Sequence, residues 1–169
     1  PMVIGTFIMV ATYSLFYIMT AFAQAYSRTP ATLSEAGYPM GLGIPANTFT
    51  GLLLMSAIVF AIFISISGLY ADKIGRRKWL IWTTVSILIF ALCMPLFLGN
   101  GTPASVFAFL VIGMALMGMT FGPMAALLPE LFPTEVRYSG ASLAYNIASI
   151  IGATIAAMIS LKINALYGL

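Results

Sequence analysis

Five stretches without a single charged side chain, at about 2–26, 48–71, 79–98, 105–128 and 138–161, dominate this chain. Crossing about 30 Å of hydrocarbon takes around 20 helical residues at 1.5 Å rise each, so every stretch is long enough to span a bilayer. Transmembrane strands would show about 10 residues of alternating polarity, whereas these runs are longer and uniformly apolar. The expected fold is therefore all-α, a polytopic transmembrane helical bundle with five spans. Only 7% of the 169 residues are charged and 62% are hydrophobic. So few charges cannot cover a water-soluble particle without apolar patches far larger than soluble monomers expose. The first partner is the lipid bilayer.

The same inventory excludes several function classes. The formal charge of +3 comes from a handful of bases between long uncharged runs, with no basic stripe and no interleaved stacking aromatics, so no nucleic-acid partner is expected. With no histidine and a single cysteine, Cys93, inside an apolar run, the chain offers no metal cluster, no cofactor site, no Ser-His or Cys-His nucleophile and no disulfide. No enzymatic activity is expected. A cleaved signal sequence is a poor account of the first run, which lacks a basic leader and is too long. The chain opens directly on an apolar stretch and closes after an odd number of crossings, and this reads as an excerpt from a longer protein.

Short-loop bases mark the cytoplasmic side. Lys73, Arg76, Arg77 and Lys78 lie in the second connection and Arg137 in the fourth, against Arg28 and Lys162 on the other side, a count of five to two. Connections two and four are thus expected inside. The segment from Arg28 to Asn47, with Pro30, Pro39, Pro45 and the acid Glu35, becomes an irregular outer loop, and residues 99–103 a tight outer turn.

The second connection runs Gly68-Leu69-Tyr70-Ala71-Asp72-Lys73-Ile74-Gly75-Arg76-Arg77-Lys78. A turn of about five residues needs glycine for geometry and bases for topology, but neither need explains Asp72. An acid at a helix end can pair with a guanidinium or face the positive end of a neighbouring helix. In the fourth connection, Glu130 precedes Arg137 by seven residues across a turn bounded by Pro129 and Pro133. That spacing sets opposite charges at facing helix ends.

The Gly68 to Lys78 pattern resembles the signature loop of the major facilitator superfamily. Glu130 to Arg137 resembles the Glu-x-x-Pro-x-x-x-Arg element of sugar and metabolite carriers. Together with Gly5-Thr6-Phe7, Tyr13-Ser14-Leu15-Phe16-Tyr17, the 117–124 run and Ala144-Tyr145-Asn146-Ile147-Ala148-Ser149, the whole chain is most similar to the metabolite:H+ symporters of that superfamily. The resemblance implies an inner-membrane carrier of a small polar or carboxylated metabolite, working by alternating access and coupled to protons. It also implies that the spans correspond to helices seven to eleven of twelve, a partial C-terminal bundle. The missing partners would be an N-terminal six-helix bundle and a last helix. Gly68, Asp72, Lys73, Gly75, Arg76, Arg77, Glu130 and Arg137 would form the conformational latch. A sugar-type facilitator shares the Glu-x-x-Pro-x-x-x-Arg element, and a non-transporting sensor or scaffold is the reading from another class.

Inside the membrane, Tyr13, Tyr17, Thr20 and Gln24 fall at i, i+4, i+7 and i+11, one face of a regular helix. Such a face turns toward other helices or toward a wet cavity, because unpaired polar groups are costly in lipid. Tyr145, Asn146 and Ser149 on the fifth span, and Thr120 and Met124 on the fourth, are the other substrate-path candidates. Each is equally well explained by helix packing. Gly118, Gly122 and Pro123 predict close approach and a bend, either a static kink or a hinge. All four carboxylates sit in loops or at helix ends, so a proton-coupling acid would lie in the absent half.

Overall fold

The computed structural model describes residues 2–30, 41–99 and 102–167. Five helices make up nearly all of it: α1 (Met2–Arg28), α2 (Ala46–Ile74), α3 (Arg76–Leu98), α4 (Pro103–Glu130) and α5 (Arg137–Tyr167). Each is long and apolar enough to cross a membrane by length and composition. The helices overrun the charge-free runs and take in Arg28, Lys73, Glu130, Arg137 and Lys162. Long side chains at helix ends can carry their charge out to the interface while the stem stays apolar. Glu35, Pro39 and the middle of the first connection, and Asn100 and Gly101 of the tight turn, lie outside the described residues.

Helix α4 is the structural centre: 44% of its most apolar window is buried, against 11% for α2 and for α3. Helix α2 lies along α4 in the most extensive contact of the bundle, α3 covers a second side of α4, and α1 packs chiefly on α5. The core is aromatic and methionine-rich. Phe109 of α4 stacks on Phe90 of α3 at 5.1 Å, and Met19 and Phe22 of α1 are buried in the same cluster as Leu110 and Met114. The outward faces are aliphatic. Leu54, Ile58, Ile62 and Ile66 recur at four-residue steps on α2, and Val85, Leu88, Leu92 and Leu96 mark the exposed side of α3. These faces suit hydrocarbon, which gives helices no hydrophobic reason to associate. Association must come from close packing and hydrogen bonds, and the α2–α4 contact supplies both. A Cβ on Gly118 would meet Phe60 O at 2.8 Å and Ile64 N at 3.1 Å, and one on Gly122 would meet Ile64 O at 2.6 Å and the Ser67 hydroxyl. Only glycine lets the two backbones approach so closely.

Three local features depart from a simple reading of the apolar runs. First, the second connection is much tighter than a five-residue turn, because α2 and α3 are separated by Gly75 alone. At φ 99° and ψ 121° Gly75 occupies backbone space that side-chain-bearing residues avoid, and this reverses the chain in one step. Second, α1 contains a π-helical turn at Ile18–Phe22. A π-turn inserts residues relative to the regular helix and rotates everything beyond it. Third, residues 41–45 fold back on the end of α1, with Leu42 N–H donating to Tyr26 O (3.2 Å) and Ile44 N–H to Ser27 O (2.7 Å). Carbonyls that a helix end leaves without partners are thereby satisfied.

Candidate functional site

Gly75 and the end of α4 lie at one end of the bundle, where the charges collect. Asp72 sits in the last turn of α2 and Glu130 in the last turn of α4, so both acids stand where the helix dipole is already negative. Arg76, in the first turn of α3, is equally misplaced against its own helix. One guanidinium resolves all three. Arg76 Nε donates to Asp72 Oδ1 at 2.9 Å and Nη1 donates to Glu130 Oε1 at 2.7 Å. A planar guanidinium offers separate donors in fixed directions and so holds two carboxylates from two helices with a directionality that a lysine point charge lacks. The side chains remain 28% exposed for Arg76, 64% for Asp72 and 58% for Glu130. The cluster is therefore accessible to water and screened. Lys73, Arg77 and Lys78 are exposed and form no ion pair with the described residues. Gly68 faces open space, since a Cβ there would touch nothing within 4 Å.

The partner of Glu130 corrects the expectation from spacing. Glu130 pairs with Arg76 on α3 and makes no ion pair with Arg137. The connection folds into successive turns, with Phe132 N–H on Pro129 O (3.2 Å) and Val136 N–H on Pro133 O (3.2 Å), and the Phe132 ring is buried. Arg137 Nε instead points at Phe132 O, at 3.4 Å. Helices α4 and α5 pack only lightly on each other, and a cavity lies between them.

That cavity, about 580 Å³, opens between α1, α4 and α5. Its wall includes Met9 from α1, Phe121, Met124 and Leu128 from α4, and Ser142 and Tyr145 from α5, with Thr134 and Arg137 on its lining. Tyr145 meets Tyr13 edge-on at 5.2 Å and Phe121 at 6.5 Å. The Tyr13 hydroxyl is buried and lies next to the Tyr145 side chain. An apolar chamber with a cation and a few hydroxyl donors is the usual make-up of a small-molecule site.

Of the substrate-path candidates named from sequence, Met124 and Tyr145 line this cavity and Tyr13 adjoins it, while Arg137, expected in the latch, also lies on its lining. The others do not form its wall. Thr20 donates to Phe16 O (2.7 Å), Thr120 to Met117 O (2.8 Å) and the Asn146 amide to Ser142 O (2.8 Å), so each spends a donor within its own helix. Tyr17 is half-buried and stands edge-on to Phe16 at 5.3 Å, and Gln24 and Ser149 are half-buried. The four-residue stripe of α1 is broken by the π-turn between Tyr17 and Gln24, which no residue in the run announces. Met9 and Phe121 escaped notice because single apolar residues carry no site signal. Met9 stands four residues before Tyr13, so continuing the stripe toward the start of α1 finds it.

Gly118 and Gly122 press on α2, and Pro123 is buried between them and the charged end. The backbone just before Pro123 is tied across helices: Ser67 Oγ donates to Gly118 O at 2.9 Å, and Trp79 Nε1 donates to Met119 O at 2.9 Å. Among the described residues no group of His, Cys, Asp or Glu could hold a metal ion.

Residues 2–159 match the family model described as Major Facilitator Superfamily. A Haemophilus influenzae protein that carries only a provisional metabolite-transport name is 87% identical over 168 residues, 99% of this chain and 38% of that protein. The inner membrane metabolite transport protein YhjE of Escherichia coli is 53% identical over 169 residues, 99% of this chain and 37% of its own length. A proline/betaine transporter of Salmonella typhimurium is 35% identical over 105 residues, 60% of this chain and 21% of that protein. The chain thus spans under two-fifths of the length of the curated relatives it matches most extensively. No solved structure gives a significant match.

Proposed function

Because the chain belongs to the major facilitator superfamily and is not an enzyme, we propose that it is the partial C-terminal bundle, helices seven to eleven of twelve, of a proton-coupled carrier for a small polar or carboxylated metabolite. The carrier resides in the inner membrane, with the Gly75 and Glu130 end in the cytoplasm. A six-helix bundle outside this chain completes the substrate site and supplies the proton-coupling carboxylate. The observation that carries the reading is the cavity between α1, α4 and α5. It is open, mostly apolar, has Arg137 and Tyr145 on its lining and the buried Tyr13 hydroxyl next to Tyr145. A cation and a pair of tyrosine hydroxyls suit a carboxylated solute, which would find counter-charge and a hydrogen bond on one path.

The way the charge cluster is built suits alternating access. With Arg76 holding Asp72 and Glu130, the charged ends of α2, α3 and α4 form one unit. That unit can dock on and leave a facing bundle. Lys73, Arg77 and the open side of Gly68 are the parts of the latch left available for such a partner.

Uptake of labelled metabolites by the full-length protein in proteoliposomes, with and without an imposed proton gradient, tests the assignment. Saturable, gradient-driven uptake is expected, and gradient-independent exchange alone points to a facilitator. In the same assay Tyr13→Phe should raise KM about 2- to 10-fold, the range set by one lost hydrogen bond, with thermal stability unchanged. An unchanged KM removes Tyr13 from the substrate path.

A further inference from the structure

Pro123 has no amide hydrogen, so Met119 O, four residues earlier in α4, loses its regular intrahelical donor. That carbonyl nevertheless has a partner, the indole Nε1–H of Trp79, at 2.9 Å from another helix. Three residues before Trp79 on the same helix, Arg76 grips Glu130. The first turn of α3 therefore holds α4 on both sides of Pro123, at Met119 and at Glu130. Helix α2 adds the Ser67 bond to Gly118 O, and Tyr70 of α2 stacks on the Trp79 ring at 6.1 Å and 21°.

We infer that Trp79 is a positioning residue that replaces, from α3, the donor that Pro123 cannot provide. Its effect is to make the 119–130 segment of α4 move as one body with the α2–α3 hairpin, so that α4 does not hinge at Pro123. The consequence for transport rests on the carrier reading above. The brace itself does not, because it is a statement about two helices. If it holds, rocking transmits the state of the Arg76 cluster directly to Met124 and Leu128 on the cavity wall.

The test is a double-mutant cycle in the full-length protein. Trp79→Phe keeps an aromatic ring and removes the N–H together with one of the two fused rings, and the cycle isolates the N–H because the lost ring area counts equally in both backgrounds. The substitution should lower the apparent Tm by about 2–4 °C when Pro123 is present. In a Pro123→Ala background, the restored Ala amide can serve Met119 O, and the same substitution should then shift Tm by less than a third of that. Equal shifts in both backgrounds overturn the assignment. A second measurement needs no change at Trp79: spin labels at Ile81 and Ala126, both exposed, with Cys93 replaced. A single narrow distance is expected with and without substrate. A broad or two-peaked distribution would show a hinge at Pro123 and refute the brace. Loss of uptake with the narrow distance intact would count against the carrier reading and leave the brace standing.

Discussion

Arg76→Glu in the full-length protein is expected to reduce the transport rate at least about tenfold while leaving equilibrium substrate binding within a few fold. The reason is local. The substitution puts a third carboxylate between Asp72 and Glu130, two acids that already stand against their helix dipoles and are held by this one guanidinium. Repulsion then splays the ends of α2 and α4, and the cluster can no longer favour one arrangement of the bundles over the other. Coupling energies of this kind correspond to about 5- to 150-fold effects. Arg76→Lys should fall between, since a lysine keeps the charge and loses the fork that serves both acids. The exchange Arg76→Glu with Glu130→Arg should recover much of the rate, because the pair re-forms with its sign reversed. Transport is read as initial uptake, and binding as saturation in detergent. Near-normal uptake by Arg76→Glu, or lost binding in a well-folded variant, contradicts a latch.

The largest structural effect is expected from Gly122→Leu, which should leave little or no monodisperse protein after extraction. A single Cβ at this position already runs into Ile64 O at 2.6 Å, Gly68 N at 3.0 Å and the Ser67 hydroxyl. Overpacking costs about 1–3 kcal/mol in ordinary interiors. Here the obstacle is mostly backbone, which cannot rotate aside, and the interface at risk is the most extensive in the bundle. Separation of α2 from α4 would also break the Ser67 bond to Gly118 O. Gly122→Ala should show a partial loss. Gly51→Leu is the control: it lies on α2, the helix that Gly122 packs against, with nothing within 4 Å of an added Cβ, and should stay within about 2 °C of the parent. Size-exclusion profiles and thermal melts decide the matter. A monodisperse Gly122→Leu with an unchanged melt would mean that the helices do not meet there.

Whatever depends on the amount and spacing of apolar residues could be read directly from the chain. Hydrocarbon thickness prescribes span length, so the five crossings and their approximate ends follow from runs such as 48–71 and 105–128. The bases on either side of Gly75 mark one end of the bundle, because charge is excluded from the membrane interior. The pairing of Gly118 with Gly122 announces a close helix contact, since only that residue type permits one. None of these inferences needs a partner to be known.

What only the tertiary structure decided is which group meets which. Glu130 turned to Arg76, 54 positions away, and not to Arg137, seven away, because the helices choose neighbours by packing and the turn at Pro133 points Arg137 elsewhere. The π-turn at Ile18–Phe22 redirected half of the polar stripe on α1. The carbonyl that Pro123 orphans found its donor on Trp79, 40 positions away along the chain. Solvent preference acts on each residue by itself and is written along the chain. Pairing acts between residues that the fold has yet to bring together, and only the packed bundle determines it.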